Sequence, residues 1–426
     1  MTNSPEDPAA GRHQSTPLNS EINIGSLADQ CVKCGLCLPH CPTYRLFHNE
    51  ADSPRGRIAL MQGLEHGDLA ADTALFRHLD RCLGCRACEK SCPSDVHYSL
   101  LLDTTRDRIE KRRPHSILYR QLRRLGLYLA AHPSAWHRSW GVLRFYQRSG
   151  LQTLLRRSGL LRLTGFDKYE KQLPLIHRTT VPTSDNAISG EGPRIGLFTG
   201  CMEAVVSETL IDDTRTLLQA LGFQAVIPEG QACCGALHQH NGAVDAALKL
   251  RMRNQTAFIG QQIDTALYLS SGCSTALTQP DTPSSTAIAA PTEFIEAVQF
   301  FASQPGLTSL SFAPLTETVV WFSPCSQRNI SGGETATRRL LESIPGINLY
   351  SLAGDCCGAA GTYMLTQTDT AMRLRADVLD GMKTVTTRYL VTANVGCAIH
   401  LANGLRQFNP DIEVIHPLTL LHRQLR

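Results

Sequence analysis

The twelve residues from Cys31 to Pro42 read C-V-K-C-G-L-C-L-P-H-C-P, and those from Cys82 to Pro93 read C-L-G-C-R-A-C-E-K-S-C-P. Both satisfy C-x2-C-x2-C-x3-C-P, so eight thiols fall at matched spacings. Two-residue gaps wrap a tight turn around one corner of a cubic cluster, and Gly35 and Gly84 let the backbone approach its sulfides. Pro42 and Pro93 then stop the turn and redirect the chain. Paired zinc knuckles or disulfides are the alternatives. Four-ligand zinc sites separate their thiolate pairs by a longer loop, which favours iron–sulfur ligation here.

The two runs resemble the bacterial-type ferredoxin signature, in which three thiolates hold one [4Fe–4S] cluster and the fourth reaches across to the other. That resemblance implies Cys31, Cys34, Cys37 and Cys92 for one cluster, and Cys82, Cys85, Cys88 and Cys41 for the second. Lys33, Arg81, Arg86 and Lys90 lie beside these positions. Their charges are expected to raise the cluster potentials by stabilising the more negative reduced state. Between the motifs, Arg55 to Asp80 carries apolar residues at helical spacing, and Tyr98 to Arg112 resumes as a helix. The expectation is an α-helical two-cluster module over residues 23–113.

A chain of 426 residues, 42% apolar and 19% charged, predicts an ordinary globular protein of two to three domains. Residues 1–22 are polar and rich in Pro, Ser and Asn, and are expected to be a disordered tail. They carry no basic n-region and no apolar h-region, so the 16 cysteines are expected to stay reduced in the cytoplasm. No stretch approaches the roughly 20 unbroken apolar residues of a membrane span. Membrane contact is therefore expected to be peripheral.

From Lys111 to Gly165 there is no Asp or Glu, while Arg113, Arg120, Arg123, Arg124, Arg138, Arg144, Arg148, Arg156, Arg157 and Arg162 alternate with Leu, Tyr and Trp. Such a basic amphipathic segment suits an anionic membrane surface or an acidic partner. A helical linker with a solvated basic face is the plainer alternative, because the whole chain carries only +3. Nucleic acid is not expected as a partner. This region and a Pro/Ser/Gly-rich linker from Thr180 to Pro193 fill residues 114–193.

Beyond the linker the chain repeats itself. Cys201, Cys233, Cys234 and Cys273 recur as Cys325, Cys356, Cys357 and Cys397, each 123 or 124 residues further on. A regular four-point match means a duplicated domain, expected over 194–310 and 311–426. Each copy reads strand, helix, strand, helix, strand, with apolar runs ending near the cysteines, as at Ile195 to Phe198 and Val319 to Phe322. The predicted class is therefore α/β multidomain, with parallel sheets whose ligands gather beyond the carboxyl ends of the strands. Adjacent cysteines followed by Gly235 or Gly358 are awkward as disulfides but natural as metal ligands. The alternative is a set of buried thiols acting as small hydrophobes.

Together with S-P-R-G-R-I, H-L-D-R-C-L-G-C-R-A-C, C-C-G-A-A-G-T-Y and T-A-N-V-G-C-A-I-H-L, these motifs resemble the iron–sulfur subunits of glycolate oxidase (glycolate dehydrogenase) from about Leu27 to the C-terminus. A looser likeness extends to the iron–sulfur subunits of glycerol-3-phosphate and lactate dehydrogenases and to heterodisulfide reductases. The resemblance implies a non-substrate-binding electron-transfer subunit. Separate FAD subunits would oxidise glycolate to glyoxylate, and electrons would pass onward to a membrane quinone or another acceptor. It also implies two [4Fe–4S] clusters in the ferredoxin module and leaves open one or two more at the duplicated cysteines. No G-x-G-x-x-G opens a helix after a strand, so no flavin or nicotinamide site is read in this chain. Heterodisulfide-reductase repeats close with C-x-x-C, whereas the closing positions here are Ala276 and His400. Four thiolates still suffice for a cluster. His400 could add a fifth ligand in the second copy.

Overall fold

The computed structural model describes residues 22–174, 192–207, 209–278 and 291–426. Most of the expected linker and the expected tail up to residue 21 fall outside them; Ile22, expected to end that tail, is instead buried, and its carbonyl accepts from Arg108 at 2.8 Å.

The N-terminal part is all helix, with segments at Ile24–Asp29, Pro42–Phe47, Pro54–His66, Thr73–Asp80, Ala87–Lys90 and Tyr98–Arg112. The spacer between the cysteine runs is two helices. Gly67, left-handed at φ +80°, ends the first, and the Asp72 carboxylate accepts from Leu75 N–H at 2.8 Å to start the second. Their apolar faces close on Ile24, Ile58, Met61, Phe76, Leu79, Leu101 and Leu102, and four ferredoxin-motif cysteines pack on this core. The loops that carry the thiols thus rest on a solid floor.

Both duplicated units form four-stranded, all-parallel sheets. The first has the order β2-β1-β3-β4, with β1 Arg194–Phe198, β2 Gln224–Val226, β3 Thr265–Tyr268 and β4 Glu293–Glu296. The second repeats it as β6-β5-β7-β8, with β5 Thr318–Trp321, β6 Asn348–Ser351, β7 Tyr389–Val391 and β8 Glu413–Ile415. The expected α/β class is present, with one strand more per copy than the sequence reading. The added strands, β4 and β8, are short edges with Glu293 and Glu413 at their exposed starts, which hides them from a search for apolar runs.

The two copies share one hydrophobic core, which runs from Leu197, Leu217 and Leu267 through Phe301 to Trp321, Leu340 and Leu421. The C-terminal helix Pro417–Gln424 packs on helix Leu210–Ala220 of the first copy, and helix Ala297–Ser303 packs on Glu334–Glu342 of the second. Where β3 and β7 end, the loops bond to each other: Ser271 N–H donates to the Ala393 carbonyl at 2.9 Å, and Val395 N–H to Ser270 Oγ at 3.1 Å.

Helices at Ile117–Ala131, Pro133–Arg148, Leu151–Arg157 and Leu160–Leu163 bridge the two halves. Their return is pinned to the second copy, where Asn403 Nδ2 donates to the Gln172 carbonyl at 2.7 Å and Arg406 to that of Leu173 at 3.0 Å. Among the described residues no helix is long and apolar enough to cross a membrane.

His416 ties the C-terminal helix to the first copy. Its Nε2 donates to the Leu269 carbonyl at 2.9 Å while Nδ1 accepts from Leu418 N–H at 3.2 Å, an arrangement only the neutral ring can make. Burial holds this imidazole down at about 4, against its ordinary 6.5. The unfolded chain therefore takes up a proton near pH 6.5 that the native ring refuses until about pH 4, so this stability is present above 6.5 and is lost as pH falls across that window. The His416→Ala variant is expected to lose about 1–2 kcal/mol at pH 7. Its unfolding midpoint should also fall less steeply between pH 7 and 5 than that of the parent, as followed by anaerobic denaturation. An unchanged slope would contradict this account.

Candidate metal centres

The two cysteine loops share an unusual backbone. Lys33 and Gly35 flank Cys34 with φ of 56° and 89°, and Gly84 and Arg86 flank Cys85 with φ of 64° and 56°. Left-handed residues on both sides of the second cysteine turn the loop inward, and the two non-glycine members are tolerated only where the surroundings hold them.

Cys31, Cys34 and Cys37 of the first loop line one cavity with Cys92 of the second, against Ile58, Val96 and Tyr98. Cys82, Cys85 and Cys88 line the next with Cys41, and Arg57 and Arg86 join them there. Cys88, Tyr98 and Pro54 belong to both walls, so the cavities are neighbours. Cys34 is exposed, and the apolar side chains of Val32 and Leu36 beside it are 70% and 57% exposed. Among the described residues no three Cys, His, Asp or Glu side chains crowd around one point as a single metal ion requires; these thiols line extended cavities instead.

Beneath the second cavity lies a buried charge network that sequence reading missed. Asp52, fully buried, accepts from Arg81 at 2.9 Å and faces His78 Nδ1 at 3.0 Å and Arg57 at 3.4 Å. Arg57, 1% exposed, also donates to the His78 carbonyl at 2.7 Å and to Thr43 at 3.1 Å. Burial opposes the Arg57 charge, but negative charge on its neighbours, Cys82, Tyr98 and Cys41 when ionised and Asp52, outweighs it and pushes the guanidinium up. Arg86 points the same way: its Nε and Nη2 are buried in this wall without a hydrogen-bond partner. Four thiols, a buried guanidinium and an Arg86 side chain whose Nη2 has no hydrogen bond and whose Nε lies 3.8 Å from the Glu89 carboxylate make a cavity suited to an anionic, sulfide-bearing group. Burial pushes the Cys85 and Cys88 thiols well up, and neighbouring thiols add to it, so their thiolates need a strongly cationic ligand. Of the other cations named from sequence, Lys90 donates to the Arg328 carbonyl at 2.8 Å, and the Lys33 carbonyl accepts from Arg55 at 3.0 Å.

Each duplicated copy brings its four thiols into one bonded series. In the first copy, Cys201 meets Cys233, and Cys234 meets both Cys233 and Cys273. In the second, Cys325 meets Cys356, and Cys357 meets Cys356 and lies 2.7 Å from Cys397. Gly235 and Gly358, at φ +96° and +87°, make the turn possible. A Cβ at Gly358 would come within 2.7 Å of the Ala371 carbonyl, and one at Gly235 within 3.0 Å of that of Ala247.

The surroundings of the two copies differ. The first has Glu203, buried and raised to about 7 chiefly by that burial, and His238, which bonds Cys233. The second has Gln327 and Arg328 in the matching loop and Gly361 at the position equivalent to His238. Sequence reading passed over Glu203 and His238 because neither falls in a repeated motif. His400 donates from Nε2 to the Ala371 carbonyl at 3.0 Å, and burial lowers its imidazole to about 4.

Residues 27–96 match the 4Fe-4S dicluster domain, 195–278 and 319–402 the cysteine-rich domain, and 119–173 the linker region of the glycolate oxidase iron-sulfur subunit. A probable glycolate oxidase iron-sulfur subunit of Bacillus subtilis is 33% identical over 414 residues, covering 92% of both chains. This chain belongs to the glycolate oxidase iron–sulfur subunit family. The Escherichia coli member of that family is 30% identical over 400 residues, covering 90% of this chain and 92% of its own. One of the subunits of the fumarate reductase (CoM/CoB) of Methanothermobacter marburgensis is 24% identical, covering 92% of this chain and 71% of its own. The glycolate oxidase family match over 119–173 accounts for the bridging helices, which the ferredoxin and cysteine-rich families leave uncovered.

Arg57→Leu leaves Asp52 buried beside the thiols with one cation fewer. It is expected to destabilise the N-terminal half by about 3–5 kcal/mol. Anaerobic denaturant unfolding followed by helix circular dichroism would check this, and a loss below about 1 kcal/mol, the value of an exposed pair, would refute the buried network.

Proposed function

We propose that this chain is the electron-transfer subunit of a glycolate oxidase complex. It would relay electrons from FAD subunits that convert glycolate to glyoxylate towards a membrane quinone or another acceptor. The observation that carries this reading is the crossed pair of cavities: Cys31, Cys34 and Cys37 line the first together with Cys92 and Cys88 of the other loop, and Cys82, Cys85 and Cys88 line the second together with Cys41. In it, Cys31, Cys34, Cys37 and Cys92 hold one [4Fe–4S] cluster, and Cys82, Cys85, Cys88 and Cys41 hold the second. Such clusters supply reversible one-electron storage. The chain's own residues set its terms: Arg57 and Arg86 place positive charge against the second site, and the apolar core keeps water from the walls behind the thiols. The open side of the first cavity, rimmed by Val32 and Leu36, suits a flat redox partner.

The duplicated cysteines are read as additional ligands, Cys201, Cys233, Cys234 and Cys273 in one copy and Cys325, Cys356, Cys357 and Cys397 in the other. Their support is the convergence of each set and the forced glycine turn. Anaerobic iron and acid-labile sulfide per chain test the proposal. About eight iron atoms are expected from the ferredoxin module alone, and about four more for each loaded copy. Fewer than eight, with no ferredoxin-type EPR signal after reduction by dithionite, would overturn the relay.

The bridging helices carry the docking function in this reading. Leu118, Leu122, Val142, Phe145, Leu154 and Leu163 are all exposed, from 59% to 86%, in a segment rich in arginine whose sequence has no acid from Lys111 to Gly165, although Arg123 and Arg156 pair with Glu110 and Glu170 outside it. Apolar side chains set among arginines favour an anionic bilayer surface. The protein is expected to co-sediment with vesicles of phosphatidylglycerol and phosphatidylcholine and to lose most of that binding in Phe145→Ser/Leu163→Ser. Equal binding by the variant, or none by the parent, would reject membrane docking.

A further inference from the structure

The two cysteine-rich copies meet the ferredoxin module differently. Leu83 and Cys356 are packed together with Tyr363, Ala371 and Leu374, and Cys85 and Cys325 lie against the same cluster. Three hydrogen bonds hold that contact: Asn329 Nδ2 to the Cys85 carbonyl at 2.8 Å, Lys90 Nζ to the Arg328 carbonyl at 2.8 Å, and Tyr363 Oη to the Arg81 carbonyl at 3.1 Å. An Arg45–Asp355 ion pair closes its edge. Cysteines assigned to two different sites therefore share one dry wall, and the Asn329 amide links the Cys85 backbone to the loop that begins at Cys325.

Among the described residues the first copy has no such joint. At the positions equivalent to Arg328 and Asn329 its sequence has Ala204 and Val205, residue types without a hydrogen-bonding side chain. It reaches the ferredoxin module away from its thiols, through Gln239, which donates to Asp103 at 2.8 Å, through His240, which faces Asp103, approaches Gly84 and offers its carbonyl to Arg106 at 3.5 Å, and through Asp245, 3.6 Å from Lys111. Its thiols are packed instead with Phe198, Phe258 and Tyr268 and with Ala131 of the bridging helices.

We propose that electrons pass between the ferredoxin module and the second cysteine-rich copy, in preference to the first, across the contact of Cys85 with Cys325 and Cys356. The inference rests on the reading that the second copy holds an iron–sulfur centre. One electron would cross and no bond would be made or broken: a centre held by Cys85 would be oxidised by one electron as a centre held by Cys325 and Cys356 was reduced by one, or the reverse. Asn329 is a positioning residue, holding the two loops together without touching a reacting atom.

The test uses the full-length chain, reconstituted anaerobically, with Cys356→Ala, Cys233→Ala and Asn329→Val. Iron is counted per chain, and microwave power saturation of the ferredoxin-type EPR signals is recorded after dithionite reduction. Cys356→Ala is expected to lose iron and to make those signals saturate at lower power, because a nearby paramagnet is gone. Cys233→Ala should leave the saturation unchanged. Asn329→Val should keep all its iron yet slow redox equilibration between the centres several-fold in freeze-quench experiments. If Cys356→Ala loses iron but only Cys233→Ala alters the saturation, or if Asn329→Val equilibrates at the parental rate, the inference fails while the second copy's centre stands. If Cys356→Ala keeps the parental iron content, the reading of that centre fails and the inference with it.

Discussion

Thiolates crowded into an apolar interior repel one another and lose their hydration, and the N-terminal half is shaped by that difficulty. Its answers are layered. Tight left-handed turns at Lys33, Gly35, Gly84 and Arg86 bring the sulfurs to the cavity walls, and the Ile58–Leu102 core keeps those turns from relaxing outward. Behind the walls Arg57 sits where solvent cannot screen it, with Asp52 placed to hold it and the partly exposed Arg81 in position. Asp52 also explains why two arginines can occupy so confined a volume, since each is bonded to a carboxylate that is itself excluded from water.

The C-terminal half solves a related problem with different means. Parallel strands end their carboxyl edges near paired cysteines in both copies, and a glycine without a Cβ is required where helices Val244–Ile259 and Thr368–Asp380 press against the turn. The copies have kept this scaffold while their linings have diverged. A carboxyl group and an imidazole attend the first set of thiols, a guanidinium the second. Electrostatics of opposite sign around equal donor sets would separate the potentials of any centres they hold, so a duplicated fold need not mean a duplicated role.

Much of this was legible in the chain itself. The C-x2-C-x2-C-x3-C-P runs and the 123–124-residue repeat are short-range or strictly periodic signals, and the helical spacer and the parallel-sheet class came from apolar spacing. Edge strands β4 and β8 escaped because three or four residues beginning with Glu bury too little to announce themselves. Arg57 was invisible for another reason. Within S-P-R-G-R-I it looks like any surface arginine of a basic helix start, and only the approach of Asp52 from the preceding turn and of His78 from the next helix makes it an interior charge. Asn329 likewise gains meaning only when the second copy folds back onto a loop 244 residues earlier.

The common core of the two copies has an evolutionary corollary. Because Trp321, Phe301, Leu217 and Leu421 pack into one body, neither unit can be deleted without exposing the other's apolar face. Inheritance must therefore preserve both as packing, whatever becomes of their chemistry. A cysteine site in one copy is free to drift in ligand environment, or to fall silent, while its sheet is retained for its partner's sake.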